Sequence, residues 1–334
     1  MYLCNIILNN NMKQITITLC LLFILFFSVN GANDTIILQK ETFIYSIKGN
    51  DTLRLDKYAP TVQKQDTSPC VIFVFGGGFA AGTRDQHYYN PYFKLLTENG
   101  YTVISIDYRL ALKGLSLNPD WKYKDYIALF KNTIMVAVED LFDATQFVLN
   151  HADSWKVDAS KIVASGSSAG AVAVLQGEYE ISSQGVVAKR LPENFNYAGV
   201  IAFAGAIFSD HGDLQWSQNT APIQLFHGDA DRNVPYDKLK FGKIGLYGSK
   251  HIAKRLDKAN LPYYFYTAEN SSHILAISPV YSNQQEILSF LDKYVMKRKR
   301  EVTIVNMTPM DKSKVKKNFT IFDYLRTNYA PKKK

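Results

Sequence analysis

The feature that most constrains the fold of this 334-residue chain is a strand-like segment that runs directly into a cluster of small residues. Residues 161–164 are predicted as a short strand, and residues 169–179 as a helix that follows at once. Between them, Gly166-Ser167-Ser168-Ala169-Gly170 predicts a tight turn that projects the Ser168 hydroxyl above the end of the strand. The amides at the start of the helix favour negative charge at that point. The glycine spacing selects Ser168, rather than Ser165 or Ser167, as the candidate nucleophile.

The rest of the sequence alternates between apolar strands and amphipathic helices. A β-hairpin is predicted at residues 43–55, with its turn at Gly49-Asn50-Asp51. Further strands are predicted at residues 71–75, 102–106, 197–204, 222–226 and 263–267, and further helices at residues 92–98, 127–150, 249–259 and 284–295. Residues 110–126, which contain Pro119 and Trp121, are predicted to form a loop or small lid. The pattern predicts an α/β fold with one mostly parallel, doubly wound sheet and an N-terminal antiparallel hairpin.

The two ends of the chain differ from its middle. Residues 15–29 are mostly apolar, follow Lys13 and precede Gly31 and Ala32, which is typical of a secretory signal peptide. We assign residues 1–32 to this signal and expect a secreted or periplasmic protein with no stable membrane span after cleavage. An uncleaved anchor is the alternative. The folded body is assigned to residues 33–296 and a basic C-terminal extension to residues 297–334.

Positive charge is concentrated in the C-terminal extension. It holds twelve Lys and Arg residues against three acids, whereas residues 32–296 hold 25 basic and 27 acidic residues. No nucleic-acid-binding motif accompanies this charge, so we expect no nucleic-acid partner. Residues 302–305 and 319–325 are too apolar for a purely disordered arm. We expect this part of the extension to dock on the body and to play no part in catalysis.

A second glycine-rich segment follows the predicted buried strand at residues 71–75. Gly76-Gly77-Gly78 lets backbone amides approach a ligand without interference from side chains, which is what stabilising an oxyanion requires. We predict that the donors are the amides of Gly77, Gly78 and Ala169. A plain flexible turn is the alternative interpretation.

An acid and a base are predicted on loops that follow two later strands. The sequence from His227 to Pro235 offers two carboxylates, and Asp231 is preferred by its position in the motif, while Asp229 can simply close the turn. His273 lies just past the strand at residues 263–267. The order Ser168, Asp231, His273 is the Ser, Asp, His order expected of a nucleophile, its orienting acid and its base in this kind of sheet. His227 is interpreted as structural.

Taken together, these motifs resemble those of α/β-hydrolases of the carboxylesterase and lipase type, over roughly residues 43–296. The resemblance rests on residues 75–79, Asp107-Tyr108-Arg109, residues 166–170, the motif at residues 227–235 and His273. It covers hormone-sensitive-lipase-like and feruloyl or acetyl esterase-like members. Phe75 stands where the former carry the histidine of a His-Gly-Gly-Gly pattern, and residues 33–42 leave no room for their long helical cap. In such enzymes Asp107-Tyr108-Arg109 has a structural role.

The resemblance implies a secreted serine carboxylic-ester hydrolase that acts through an acyl-enzyme on a small-molecule or carbohydrate ester. No metal or organic cofactor is implied, and Cys70, the one cysteine of the body, excludes a cysteine-based zinc site. Phe79, Trp121, Phe208 and Trp216 are predicted to line the substrate pocket. A peptidase of the prolyl-oligopeptidase type and an inactive binding protein on the same fold are the alternatives. The sequence does not indicate an oligomeric state.

Overall fold

The computed structural model describes residues 38–62, 64–115 and 120–310, together with the single positions 317, 319, 320 and 327. The predicted signal, residues 1–32, lies outside the described residues. So do residues 116–119 of the predicted lid and most of residues 319–325. The chain from Leu38 onward forms one compact unit. Among the described helices, none is long and apolar enough to cross a membrane.

The described residues form twelve strands. They are β1 (Glu41–Lys48), β2 (Asp51–Tyr58), β3 (Ser68–Val74), β4 (Thr102–Ile106), β5 (Val157–Ser167), β6 (Gly199–Phe203), β7 (Ala206–Ser209), β8 (Ile223–Gly228), β9 (Lys238–Phe241), β10 (Ile244–Gly248), β11 (Tyr263–Ala268) and β12 (Val302–Met307). Nine of them make the main sheet in the order β1-β2-β4-β3-β5-β6-β8-β11-β12. Strands β1 and β2 are antiparallel to their neighbours, and the rest of this sheet is parallel. The predicted α/β fold, with its N-terminal antiparallel hairpin, is confirmed.

The helices flank this sheet. They are α1 (Asn90–Glu98), α2 (Tyr123–Asn150), α3 (Ala152–Trp155), α4 (Ala169–Ser182), α5 (Ser249–Lys258), α6 (Pro279–Ser282) and α7 (Gln284–Phe290), which continues as a π-helical turn at Leu291–Met296. Every residue of β3, β4, β6 and β8 is buried, as expected for parallel strands that are covered on both faces. Helix α2 begins four residues before its predicted start, because the Lys122 amide donates to the Asp125 carboxylate and caps it. The predicted loop or lid is correspondingly shorter.

A separate three-stranded sheet was not predicted. It has the order β7-β10-β9 and is antiparallel throughout. Strand β9 reads Lys-Leu-Lys-Phe and exposes three of its four side chains, so it carries no apolar run that would identify it in the sequence. This small sheet contributes Leu246 to the cavity described below.

Strand β12 extends the main sheet beyond the predicted body. It pairs in parallel with β11 over six residue pairs, from Tyr263 with Val302 to Ala268 with Met307. The Tyr294 hydroxyl and Thr303 Oγ1, 2.8 Å apart, add a side-chain hydrogen bond. The expected docking of residues 302–305 is therefore confirmed, and the boundary assigned at residue 296 falls before the last strand of the sheet.

Removal of β12 should destabilise the fold. Truncation after Met296 leaves the outer edge of β11 without hydrogen-bond partners, and we expect the melting temperature to fall by about 5–10 °C. Truncation after Met310 keeps β12 and serves as the control in the same calorimetric experiment. Equal melting temperatures for the two truncated chains would contradict the contribution of β12.

Glu178, in the middle of α4, gives the fold a defined dependence on pH. Its side chain is fully buried, and burial raises the pKa of the carboxyl to about 8 although the Ala221 amide donates to it at 2.8 Å. The folded protein therefore holds a proton that the unfolded chain, with its ordinary carboxyl pKa, releases above about pH 4.5. The stabilisation by protonated Glu178 is complete below that pH and is lost as the pH rises toward 8.

We therefore expect the wild-type protein to lose stability relative to Glu178→Gln as the pH is raised from 5 to 8. The difference in unfolding free energy should change by up to about 1.4 kcal/mol per pH unit. Urea unfolding of both proteins at several pH values measures it, since other titrating groups cancel in the difference. If the unfolding free energies of the two proteins changed in parallel with pH, the Glu178 carboxyl would have the same pKa in the folded and the unfolded protein.

Candidate active site

The turn between β5 and α4 holds Ser168 in a strained conformation. Its φ is 52° and its ψ is −116°, a region that side-chain-bearing residues seldom occupy. A Cβ on Gly166 would lie 2.4 Å from the Gly170 carbonyl, and one on Gly170 would lie 2.0 Å from the Val74 carbonyl oxygen. The two glycines thus allow the turn to pack against itself and against β3, as the sequence pattern predicted.

Three side chains from separate loops form one hydrogen-bonded chain at this turn. The Ser168 hydroxyl donates to His273 Nε2 at 2.8 Å, and His273 Nδ1 donates to Asp231 Oδ2 at 2.7 Å. His273 begins a short 3₁₀ turn (His273–Ala276) after β11, and Asp231 lies on the loop after β8. Both loops leave the carboxyl ends of parallel strands, where the ends of neighbouring strands bring distant residues together.

The Asp231 carboxylate is buried, yet it is surrounded by donors. Its Oδ1 accepts hydrogen bonds from the amides of Asn233 at 2.8 Å and Val234 at 3.0 Å. Burial by itself raises the pKa of this carboxyl, but hydrogen bonds from His227 and His273 outweigh burial and hold the pKa well below its usual range. Asp231 therefore stays ionised and can orient His273 and stabilise its imidazolium form.

His227 has a contact that the sequence did not reveal. It is fully buried, its Nε2 lies 3.3 Å from Asp231 Oδ2, and the Ser249 hydroxyl lies 2.7 Å from its Nδ1. The interpretation as a structural residue thus omitted its contact with the acid. Its spacing of four residues before Asp231 was the available signal.

Asp229 and Asp231 have different partners in the structure. Asp229 Oδ1 accepts a hydrogen bond from the Asn270 amide at 2.7 Å, and Oδ2 lies 2.6 Å from Lys317 Nζ. Of the two carboxylates considered from the sequence, Asp231 is the one hydrogen-bonded to His273.

The three predicted amide donors line the same cavity as Ser168. Gly77 has a φ of 134°, and a Cβ there would lie 1.9 Å from the Ala81 carbonyl oxygen, so only glycine fits. The Gly76 amide donates to the Tyr89 hydroxyl at 3.1 Å. Among the hydrogen bonds of the described residues, none occupies the amides of Gly77, Gly78 or Ala169. These amides, two on the loop after β3 and one at the start of α4, are thus available to a ligand in the cavity that Ser168 lines.

The Asp107-Tyr108-Arg109 segment supports the glycine loop from behind. The Tyr108 hydroxyl donates to the Phe75 carbonyl at 3.1 Å, directly before the glycines, and Arg109 pairs with the buried Asp140 of α2 at 2.8 Å. These contacts fit the structural role that the resemblance implied.

The cavity above Ser168 measures about 870 Å³ and is mostly apolar. Within the described part of the chain it is lined by no Lys, Arg, Asp or Glu side chain. Its larger apolar and aromatic lining residues are Phe79, Tyr88, Tyr89, Phe130, Val172, Val234, Leu246, Ile274, Ile277 and Tyr281.

Of the four predicted pocket residues, the structure places only Phe79 in the lining of this cavity. Trp121 packs against Tyr126 at a ring distance of 5.4 Å, and Trp216 packs against Tyr179 at 5.2 Å. Phe208 lies behind the cavity wall, with its ring 5.9 Å from that of Phe130. The other aromatic side chains of the lining, Tyr88, Tyr89, Phe130 and Tyr281, come from segments that no sequence signal distinguished.

Comparison with known proteins agrees with this geometry. The sequence profile described as "Carboxylesterase family" matches residues 30–193. An acetyl esterase of Salmonella schwarzengrund is 33% identical over 129 residues, covering 38% of this chain and 32% of that protein. Gut esterase 1 of Caenorhabditis elegans is 28% identical over 131 residues, covering 39% of this chain and 21% of that protein. The chain thus spans about a fifth to a third of the length of these curated relatives.

Esterase 2 of Thermogutta terrifontis, solved after phosphoramylation by tabun, has a similar fold. Its TM-score is 0.55 at 22% identity, with 76% of this chain and 94% of that chain covered. The fold and the serine-centred site together define an α/β-hydrolase. The sequence comparisons add a similarity to the carboxylesterase family over residues 30–193.

Proposed function

We propose that this chain is a serine hydrolase that cleaves uncharged carboxylic esters through an acyl-enzyme. The observation that carries the proposal is the hydrogen-bonded chain from Ser168 through His273 to Asp231 at the base of the large cavity. The esterases among the relatives support the same chemistry.

In the proposed mechanism His273 removes the proton of the Ser168 hydroxyl while the Ser168 oxygen attacks the ester carbonyl. Asp231 keeps the imidazole in the tautomer whose Nε2 accepts that proton, and stabilises the imidazolium that results. The amides of Gly77, Gly78 and Ala169 donate to the oxyanion, and the loss of one such donor costs about 3 kcal/mol of transition-state stabilisation. His273 then protonates the departing alcohol and activates the water that hydrolyses the acyl-enzyme.

The lining of the cavity favours a neutral substrate with an apolar or planar ring. A charged ester would enter a mostly apolar space without a counter-ion, which is costly, whereas aromatic walls stack on aryl groups and sugar rings. We therefore propose aryl esters or acylated carbohydrates as the substrate class. Two relatives support a short acyl group: one is an acetyl esterase, and esterase 2 of Thermogutta terrifontis was solved with propionate and with butyrate bound.

Labelling with a fluorophosphonate probe tests the enzyme class, because the probe reacts with an activated serine. We expect the wild-type chain to be labelled. A panel of acetyl, butyryl and feruloyl esters of phenols and sugars, compared with succinate half-esters that carry a negative charge, then tests the substrate class. Faster turnover of the anionic half-esters would refute the preference for neutral substrates. Absence of labelling would refute the proposed serine-hydrolase function.

We also propose that the protein is exported. The support is the apolar run of residues 15–29 behind Lys13. Fractionation of cells that express the full-length chain tests this, with the processed protein expected outside the cytoplasm. Retention of an unprocessed chain in the cytoplasm would contradict it.

A further inference from the structure

The segment that follows β12 contacts the loop that carries Asp231. Lys317 Nζ lies 2.6 Å from Asp229 Oδ2, and the Phe319 ring lies 5.9 Å from the Arg232 guanidinium. Asp229 and Arg232 bracket Asp231, so the C-terminal segment reaches both sides of the proposed catalytic acid. The sequence alone predicted no catalytic contribution from this segment, because every triad residue precedes it.

Asp229 also connects two loops: the loop after β8 that carries Asp231, called the acid loop, and the loop after β11 that carries His273, called the histidine loop. Its Oδ1 accepts a hydrogen bond from the Asn270 amide at 2.7 Å, three residues before His273. The backbone adds a parallel connection, since the Ala230 amide donates to the Ser271 carbonyl at 3.0 Å. The Asp229 carboxylate therefore links the acid loop, to which it belongs, with the histidine loop and with the C-terminal segment.

The Lys317 ammonium group stabilises a carboxylate that is partly removed from water. The Asp229 side chain is only 13% exposed, so its negative charge is partly removed from water, while that of Lys317 is 43% exposed. A partly buried carboxylate is stabilised by a close cation, and the hydrogen bond to Asp229 raises the pKa of Lys317 in turn. Without that cation, the partly buried Asp229 carboxylate would lose its charged partner, which is costly, and would keep only the hydrogen bond that the Asn270 amide donates to it.

We propose that Lys317 and Asp229 are positioning residues for the triad. Their ion pair fixes the acid loop against the histidine loop and so keeps Asp231 aligned with His273. Neither residue lines the cavity, and neither touches a reacting atom. The proposal rests on the proposed serine-hydrolase function.

Full-length variants test the pair by steady-state kinetics. Lys317→Met should lower kcat about fivefold with KM changed less than twofold, which corresponds to a loss of about 1 kcal/mol. Lys317→Arg should restore kcat. Asp229→Asn keeps an oxygen for the Asn270 amide and removes only the charge, so it should match Lys317→Met, and the double variant should be no worse than either.

Salt provides a response that general destabilisation would not produce. Between 50 mM and 1 M NaCl the wild-type kcat should fall toward that of Lys317→Met, while the variant stays constant. Lys297→Met is the matched control, because Lys297 forms an exposed pair with Asp292 at 2.7 Å, and its kcat should equal the wild-type value. The proposal would be overturned if Lys317→Met had the same kcat as the wild type, or if the losses of the two single variants added up in the double variant.

Failure of the serine-hydrolase proposal can be distinguished from failure of the positioning role of Lys317 and Asp229. A wild-type chain that is neither labelled nor active refutes the serine-hydrolase function. The low-field NMR signal of the proton between His273 and Asp231 then still reports on positioning: Lys317→Met should broaden or shift it, and Lys317→Arg should restore it. An unchanged signal in Lys317→Met would refute the positioning role without any measurement of turnover.

Discussion

Replacement of Ser168 by alanine should lower the kcat for ester hydrolysis by about five orders of magnitude. His273 then has no hydroxyl to deprotonate, and only the amide donors and the cavity remain to accelerate attack by water. Fluorophosphonate labelling should disappear at the same time. The fold should persist, because alanine fits the space of serine and the turn is held by the packing of Gly166 and Gly170.

Ser167→Ala is the natural control for this experiment. Ser167 is the neighbouring residue, but its hydroxyl donates to the Ala276 carbonyl at 2.7 Å and is not hydrogen-bonded to His273. It should retain labelling and most of its activity. If cleanly purified Ser168→Ala hydrolysed esters at the wild-type rate, the nucleophile would have to be another residue.

Replacement of Asp231 by asparagine should lower kcat by about 10⁴. The asparagine oxygen should stay on the amides of Asn233 and Val234, which already bind Oδ1, so that its NH₂ group faces His273. A donor at that position favours the tautomer in which Nδ1 is bare and Nε2 carries the proton. Nε2 then cannot accept the proton of Ser168.

The comparison with Asp229→Asn makes this prediction specific. Asp229 lies two residues away and is also partly buried, yet it contacts Asn270 and Lys317 rather than His273. Its asparagine variant should lose no more than about tenfold in kcat. Measurement of both variants on one ester ranks the two carboxylates. A larger loss in Asp229→Asn would move the orienting acid two residues upstream.

The elements that could be predicted from the sequence are those whose signals are local. The glycines around Ser168 specify the turn because any larger residue would collide with a neighbour close in sequence or on β3. The buried parallel strands are continuous apolar runs, which makes strands such as β4 plain in the sequence.

The features that escaped prediction depend on contacts between distant segments. Motif position favoured Asp231 over Asp229, but the contact of Asp229 with Lys317 joins segments 88 residues apart and had no local signal. The cavity lining combines Phe130 of α2, Leu246 of the small sheet and Tyr281 of α6, whereas Trp121 and Trp216 pack elsewhere. Aromatic composition alone does not show which rings face a cavity.

The position of β12 has a consequence for biosynthesis. Strand β11, which leads to His273, is bordered on one side by β8 and on the other by a strand that is made about 35 residues later. Until residues 302–307 have left the ribosome, the outer edge of β11 is open and can pair with the wrong strand or with another chain. The edge of the sheet next to the strand that leads to His273 is therefore the last edge that can be paired during synthesis.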